Sequence, residues 1–492
     1  MAEAPSVLKV DPRDDVAVAL HGLARGEATL GVVAATDIPA GHKIALRAIA
    51  SGEPVRKYGW PIGHATADIA PGDHVHIHNL ATALAGLEAY AYAPVAPDPL
   101  PSSTRTFDGY RRRNGRVGAR NEIWILCTVG CVSRTAQRIA AEADRRFKGR
   151  VDGVYAFTHP FGCSQLGDDL SATRTMIAAL AAHPNAGGVL VLGLGCESNQ
   201  LAPLLAAIPD ADPARLRAFT AQAFEDEIEE GLQAVEALVT VAERDRREPC
   251  PLADLVVGLK CGGSDGFSGL TANPLVGRIA DAVCGAGGAA ILTEIPEIFG
   301  AERLLMSRAV SEPVFEDVAA VVNDFKAYFL RHGEPVSENP SPGNIAGGIT
   351  TLEEKSLGAV QKAGRAPLTA VLRYGERTHG PGLALLEAPG NDAVSSTALT
   401  AAGATVILFT TGRGTPLGFP APTLKLATNS GLAQRKPHWI DFDAGRIALG
   451  EDLDAAAERL LDLVVATASG RPTRAEENGE REMALWKRGV TL

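Results

Sequence analysis

From about Arg120 onward the chain alternates short apolar runs with longer helix-forming stretches, and this alternation restricts the fold more than any other property of the sequence. NEIWILCTVGCV is followed by SRTAQRIAAEADRRF, then VDGVYAFTHPFGCSQ, a helical stretch through Met176, and GGVLVLGLGCESNQ. Apolar strands separated by helix-length segments build parallel sheets, because each strand must be re-entered from the same end through a right-handed crossover. A further helix, FEDEIEEGLQAVEALVTVAER, leads into LADLVVGL at 252–259, short and β-branched enough for a buried strand. Helices (NPLVGRIADAVCGA, EPVFEDVAAVVNDFKAYFLRH) and strands (AAILTEI, TVILFTTG) then continue toward the end.

The first part of the chain follows a different rule. Residues 1–92 are rich in Val, Ala and Gly, with short alternating runs such as HKIALRAI and DHVHIHNL cut by turns at Pro39-Ala40-Gly41, Ser51-Gly52 and Pro71-Gly72. That pattern predicts a small β-rich domain. Residues 93–106 hold four prolines and no apolar period, which predicts an extended linker. The fold class expected is therefore α/β: a small β-rich amino-terminal domain, an α/β domain over 107–248 and a carboxy-terminal α/β catalytic domain over 249–492, with largely parallel sheets. A chain of 492 residues is long enough to need such a division.

Composition narrows the partners. The net charge of −11 is spread along the chain without a basic run, which excludes nucleic acid and anionic membrane surfaces as expected partners. No cationic-then-apolar leader and no apolar run near the ~20 residues of a bilayer span is present, so a cytoplasmic protein is expected. Seven cysteines in such a chain argue against a disulfide framework and leave reactive, metal-binding or buried thiols.

Four loops share one grammar: Thr128-Val129-Gly130-Cys131, Phe161-Gly162-Cys163-Ser164-Gln165, Gly195-Cys196-Glu197-Ser198 and Lys260-Cys261-Gly262-Gly263-Ser264-Asp265. Each follows an apolar strand, and in a parallel sheet such loops emerge at the carboxyl edge, where ligand crevices form. Thiolates gathered there could hold an iron–sulfur cluster with one open iron, or a single Fe(II), or be small thiols packed in tight turns. Cys127, Cys250 and Cys284 lie inside strand, linker or helix patterns and read as buried thiols. In DHVHIHN, alternation puts His74, His76 and His78 on one strand face as a metal or anion site, which His42 and His64 in nearby glycine turns can join. NPSPGNIAGG around Asn344 is a loop suited to a polar ligand, and Arg373 and Arg413, in RYGER and GRGTP, offer guanidinium forks for a carboxylate.

GYRRRNGRVGARNE, GCSQLGDD, LGLGCESNQ, KCGGSDGFSGLTANP, TEIPEIFGAE, NPSPGNIAGGITTLEEKSLG, APGNDAVSSTAL and TTGRGTP together closely resemble the altronate/galactarate dehydratase family, over nearly the whole chain. The first domain resembles the family's SAF domain. The resemblance implies a cytoplasmic, iron-dependent hydro-lyase acting on a small sugar acid, D-altronate being converted to 2-dehydro-3-deoxy-D-gluconate in hexuronate breakdown. Galactarate dehydration, a sulfolactate sulfo-lyase and a non-catalytic sugar-acid binding protein are the alternatives. It implies Fe(II), mononuclear or in a cluster, held by Cys163, Cys196 and Cys261; Cys131 also falls inside a family motif. Acid–base chemistry is expected from Asp265, Lys355, Glu376 and His76, and substrate binding from His42, His64, His78, Ser264, Asn344, Arg373 and Arg413. A homo-oligomer, a dimer, is expected.

Overall fold

The computed structural model describes residues 5–489. VVGLKC, a run without polar alternation, forms the strand Val256–Cys261 near the middle of a sheet buried on both faces. Seven parallel strands lie in the order Leu368–Leu372, Gly382–Leu386, Ala289–Leu292, Val256–Cys261, Val406–Thr411, Thr423–Ala427 and Phe442–Asp443. Alternate residues divide between two cores. Val257, Leu259 and Leu408 meet the helix Ala272–Gly285, while Ile291, Ile407 and Phe409 meet the helix Asp392–Ala401. From Val256–Cys261 the chain builds outward on one side and then crosses to Val406–Thr411 on the other. The topology reverses between these two strands, and the loops beyond their carboxyl ends bound a crevice.

A second parallel sheet has the order Val154–Phe157, Glu122–Cys127, Ala186–Gly193, Leu216–Thr220. Helices Ser133–Arg146 and Glu227–Ala242 cover the face bearing Ile123 and Ile125, and Gly167–Ala181 covers the face bearing Trp124 and Leu126. That second face shares one hydrophobic cluster with Leu399 and Phe409, so the two α/β bodies are welded through apolar contact. The segments entering and leaving the smaller sheet pair with each other, Thr106–Arg111 antiparallel to Glu248–Pro251. The amino-terminal part is all antiparallel: Val7–Leu8, Val16–Ala19, Lys43–Ala45 and His74–Val75 form one sheet, and Pro54–Lys57, Trp60–Ala65 and Leu80–Ala81 another.

Three local expectations change. DHVHIHNL is not a continuous strand: it ends at Val75, because the Asn79 side chain accepts from the His76 N–H (2.9 Å) and donates to the His74 carbonyl (3.0 Å), closing a turn. LADLVVGL begins as a short 3-10 turn, Leu252–Asp254, and becomes strand only at Val256. The proline-rich stretch is extended but strapped down. The Val95 N–H bonds the Ser307 carbonyl, Tyr90 donates to Glu302 (2.5 Å), and a Cβ on Gly285 would come within 2.2 Å of the Pro101 carbonyl oxygen.

Candidate active site

The carboxyl edge of the large sheet gathers buried charge. Strand Ala289–Leu292 runs into Thr293 and then Glu294, which holds the left-handed conformation (φ 72°, ψ 58°) although it is not glycine. Such a backbone costs on the order of 1 kcal/mol or more and persists only where its surroundings over-determine it. Here they do: Glu294 pairs with Lys260 through one oxygen, and through the other accepts from Lys362 Nζ (2.9 Å) and the Cys261 N–H (3.0 Å). Lys260 also reaches Asp392 (2.8 Å) at the first turn of helix Asp392–Ala401. One short turn further along, Glu297 accepts from Lys355 Nζ (2.9 Å), which also donates to Asn339 (2.9 Å) and Asn344 (3.3 Å). Lys362 Nζ lies 2.7 Å from Cys261 Sγ.

Lys260, Cys261, Glu294 and Lys362 are each no more than 2% exposed. Three ammonium groups face three carboxylates, so the cluster is neutral with Cys261 as a thiol. Burial lowers the proton affinity of Lys260, but the charges of Glu294 and Asp392 outweigh it and the net shift is upward. Lys362 is likewise raised against its burial, by Cys261 and Glu294. Burial first, and then the Glu294 charge, push the Cys261 thiol up to about 12, with Lys362 opposing. Ligand atoms of Cys261, Glu294 and Glu297 lie within 4.8 Å of one another, the one such group of three His, Cys, Asp or Glu among the described residues. A lysine already sits on each of the three, so a cation there would have to displace three ammonium groups. The donor set fits a proton-handling network better than a metal.

The amino-terminal domain closes one side of this edge. Backbone meets backbone at Gly41: a Cβ on Gly266 would come 2.0 Å from the Gly41 carbonyl oxygen, and one on Gly348 would come 2.3 Å from it. Two lysines of the small domain, Lys43 and Lys57, converge on Glu354 of the large one at 2.9 and 2.8 Å, all but sealed from solvent. Beside this seam His42, His74 and His76 stack with ring centroids 4.8–5.3 Å apart, and His78 lies 5.6 Å from His74. His76 Nε2 contacts the Ile345 carbonyl (3.1 Å). A carbonyl only accepts, so Nε2 carries the proton and Nδ1 is the free basic nitrogen. Burial, and then neighbouring imidazole and lysine charge, bring His42 and His74 down to about 4; burial and Lys43 lower His76. These rings are neutral near pH 7.

The sequence-predicted residues divide accordingly. Lys355, Asn344, Ser264, His42, His76 and His78 are brought to this seam; Asn344 Nδ2 donates to the Ser264 carbonyl (2.8 Å), tying the NPSPGN and GGSDG loops together. Asp265 is buried there too, but accepts from Ser268, Thr428, Asn429 and the Phe267 N–H, so it braces the loop and has no free lone pair for proton transfer. Arg413 is exposed beside Gly263, whose carbonyl its N–H meets at 3.1 Å. Arg373 and Glu376 follow the outermost strand, three strand positions or ~14 Å across the sheet from Cys261. There Arg373 faces Asp324 (3.4 Å) and Glu376 accepts its N–H. His64 lies in strand Trp60–Ala65, outside the imidazole stack. Cys163 and Cys196 lie in loops of the smaller sheet and Cys261 ends a strand of the larger one, and the three do not form a group with ligand atoms all within 4.8 Å of one another. Sequence reasoning missed Lys260, Glu294, Glu297, Lys362 and Asp392. The signals were a lysine ending a buried strand and two glutamates three apart in TEIPE just past another.

An amino-terminal β domain docked on the carboxyl edge of a parallel α/β sheet, over a buried lysine–carboxylate–thiol cluster, defines a multidomain α/β enzyme built for proton transfer. Family models match in the same order: the altronate/galactarate dehydratase SAF domain over 5–83, the second domain of D-galactarate dehydratase/altronate hydrolase over 109–243, and the D-galactarate/altronate dehydratase carboxy-terminal domain over 252–491. The chain belongs to the D-galactarate/altronate dehydratase family. It is 51% identical to the altronate dehydratase of Escherichia coli, over 99% of both chains, and 48% identical to that of Bacillus subtilis, over 99% of this chain and 100% of the other. Against the galactarate dehydratase of Escherichia coli identity falls to 35% over 94% of this chain and 93% of the other.

Proposed function

We propose that this chain is a hydro-lyase that dehydrates D-altronate to 2-dehydro-3-deoxy-D-gluconate in hexuronate breakdown. The observation that carries the reading is full-length identity near one half to two altronate dehydratases, against 35% to a galactarate dehydratase. The reaction removes a weakly acidic proton from the carbon beside a carboxylate and expels hydroxide from the next carbon; the enol then tautomerises to the 2-keto acid. A base, an acid and stabilisation of the enolate charge are needed. Lys355 and His76 are assigned the proton transfers, because both reach the 344–345 segment, Lys355 at Asn344 and His76 Nε2 at the Ile345 carbonyl. Glu297 orients Lys355 through a 2.9 Å ion pair, and Lys260 and Lys362 fix Glu294 at the crevice wall. Arg413, exposed beside Gly263, is the proposed grip on the substrate carboxylate.

Iron is part of the proposal: bound, it supplies a Lewis acid for the substrate's carboxylate or departing hydroxyl. Exposed thiols such as Cys163 and Cys196 suit it, whereas Cys261, set against Lys362, does not. A cytoplasmic homodimer is proposed alongside, with light scattering as its check. No helix among the described residues is long and apolar enough to cross a membrane. The deciding experiment is an anaerobic panel of altronate, galactarate and sulfolactate with Fe(II) present and absent, read for 2-keto-3-deoxy acid and for sulfite. Turnover of altronate at least tenfold above galactarate supports the reading. Sulfite release, or binding without turnover, overturns it.

A further inference from the structure

Arg120 and Arg377 are both buried, and only one of them has a partner. Arg120, 4% exposed, pairs with Glu476 (2.8 Å); Arg377 is 8% exposed, and its guanidinium makes no hydrogen bond or ion pair among the described residues. A charge removed from water without a partner is costly, so a position that keeps one implies an anion that is not part of the chain.

Arg377 lies toward the amino edge of the large sheet. Residues 373–381 return the chain from the end of strand Leu368–Leu372 to the start of strand Gly382–Leu386, and on the way the Thr378 N–H bonds the Ala402 carbonyl (3.0 Å) just past helix Asp392–Ala401. The amino edge of the smaller sheet is bolted on here: His183 Nε2 donates to the Ala404 carbonyl and Asn185 Nδ2 to the Thr405 carbonyl, both at 3.1 Å. Arg116, in the turn between strands Thr106–Arg111 and Val117–Gly118, reaches the same place. Its Nη2 donates to the Thr378 carbonyl (3.1 Å), and a Cβ on Gly403 would come 3.6 Å from its Nη1.

The surrounding charges leave this pair unanswered. Arg112 and Arg215 share Asp245 (2.7 and 2.6 Å), and Arg111 occupies Asp254 (2.8 Å). Asp210 is exposed and forms no ion pair with either arginine. Burial first, and then the Arg377 charge, bring Arg116 down to about 10, with Asp210 opposing; burial lowers Arg377 as well, again against Asp210. A cavity of about 390 Å³ opens beside them, lined among others by Arg116, Asp254, Gly288, Thr378, His379 and Gly403. That volume suits a small molecule. Strand Val256–Cys261 starts at this edge, so at ~3.3 Å per residue Cys261 lies roughly 17 Å away.

We propose that Arg116 and Arg377 bind a small oxyanion, a phosphate monoester or a dicarboxylate, in this cavity at the amino edge, remote from the charged cluster around Cys261. A planar guanidinium fork meets either group with two parallel hydrogen bonds, and two forks side by side are stabilised together by one multivalent anion. The site is independent of which sugar acid is turned over at the other edge.

The test is calorimetric titration of the full chain with inorganic phosphate and, separately, with malonate, in a buffer free of other oxyanions; the tighter of the two identifies the class. Saturable binding is expected, weakened roughly ten- to a hundredfold in Arg116→Gln and in Arg377→Gln and unchanged in Arg413→Gln. In the wild-type chain the tighter anion should slow hydrogen exchange in residues 112–118 and 376–382. Without oxyanion, Arg377→Gln should melt no lower than wild type, because it removes an unpaired buried charge, and added anion should raise the melting temperature of wild type only. No saturable binding of either probe, binding indifferent to both arginine substitutions, or binding lost in Arg413→Gln instead would overturn the assignment. So would an Arg377→Gln chain that melts lower and changes oligomeric state by light scattering, which would set a second copy's carboxylate against Arg377.

Discussion

Neutralising Glu354 should loosen the amino-terminal domain from the large one, and the size of the effect can be worked from the buried pairs. Glu354, Lys43 and Lys57 are no more than 2% exposed, and Glu354 takes both ammonium groups as well as the Thr350 N–H and hydroxyl. In Glu354→Gln the side chain keeps its shape but presents an NH2 donor to two buried cations. Breaking a buried pair from one side costs about 3–5 kcal/mol. The two lysines differ, since burial outweighs Glu354 at Lys43 and brings it down to about 8, whereas Glu354 and Tyr58 lift Lys57 against its burial. Lys43 is therefore the group that sheds its proton when Glu354 is neutral. Neutralising a lysine of ordinary pKa at pH 7 costs roughly 4.6 kcal/mol. A Lys43 neutral in the folded mutant and charged in the unfolded chain makes the mutant regain stability as pH rises; wild-type Lys43, at about 8, also sheds its proton over part of this range, so the deficit should shrink to roughly 3 kcal/mol at pH 9. Native-state hydrogen exchange on strands Lys43–Ala45, Pro54–Lys57 and Trp60–Ala65 is the assay, with opening faster by a factor between about a hundred and several thousand at pH 7. Protection within threefold of wild type, or a deficit unchanged between pH 7 and 9, would refute the reasoning.

Three further expectations follow from the site and the seam. Lys355→Met should lower kcat by ~10²–10⁴-fold and, by leaving Glu297 buried without its partner, lower the melting temperature as well, while Arg373→Ala, ~14 Å across the sheet from Cys261, should leave kcat and KM unchanged; steady-state kinetics on altronate separates the two. Gly266→Val should reduce activity at least tenfold and increase proteolysis of the amino-terminal domain, because its side chain must occupy the position 2.0 Å from the Gly41 carbonyl oxygen; wild-type proteolysis rates would count against the seam. His42 and His74, brought down to about 4 chiefly by burial, contribute stability that is complete above the ordinary histidine pKa near 6.5 and is lost as pH falls from there toward 4. Exchange of strand His74–Val75 should accelerate over that window, and the dependence should flatten in His42→Asn/His74→Gln.

The alternation of apolar and helical segments was enough to specify two parallel sheets with their helices, because a strand buried on both faces and a crossover helix each carry an unmistakable local pattern. Three histidines within five residues and a glycine-rich loop after a strand were also legible, since their chemistry is written in adjacent positions. The buried cluster was not. Lys260, Glu294, Lys362 and Asp392 come from four segments, and singly each is an ordinary charged residue; only the sheet order makes them neighbours. The cysteines show the same limit from the other side. Cys131, Cys163, Cys196 and Cys261 share one loop grammar, yet Cys261 follows a strand of the seven-stranded sheet and the other three follow strands of the four-stranded one. Local sequence determines that a strand ends in a loop able to meet a ligand. Which loops then face the same crevice is decided by strand order, which rests on packing between residues far apart in the chain and is invisible in any short stretch of it.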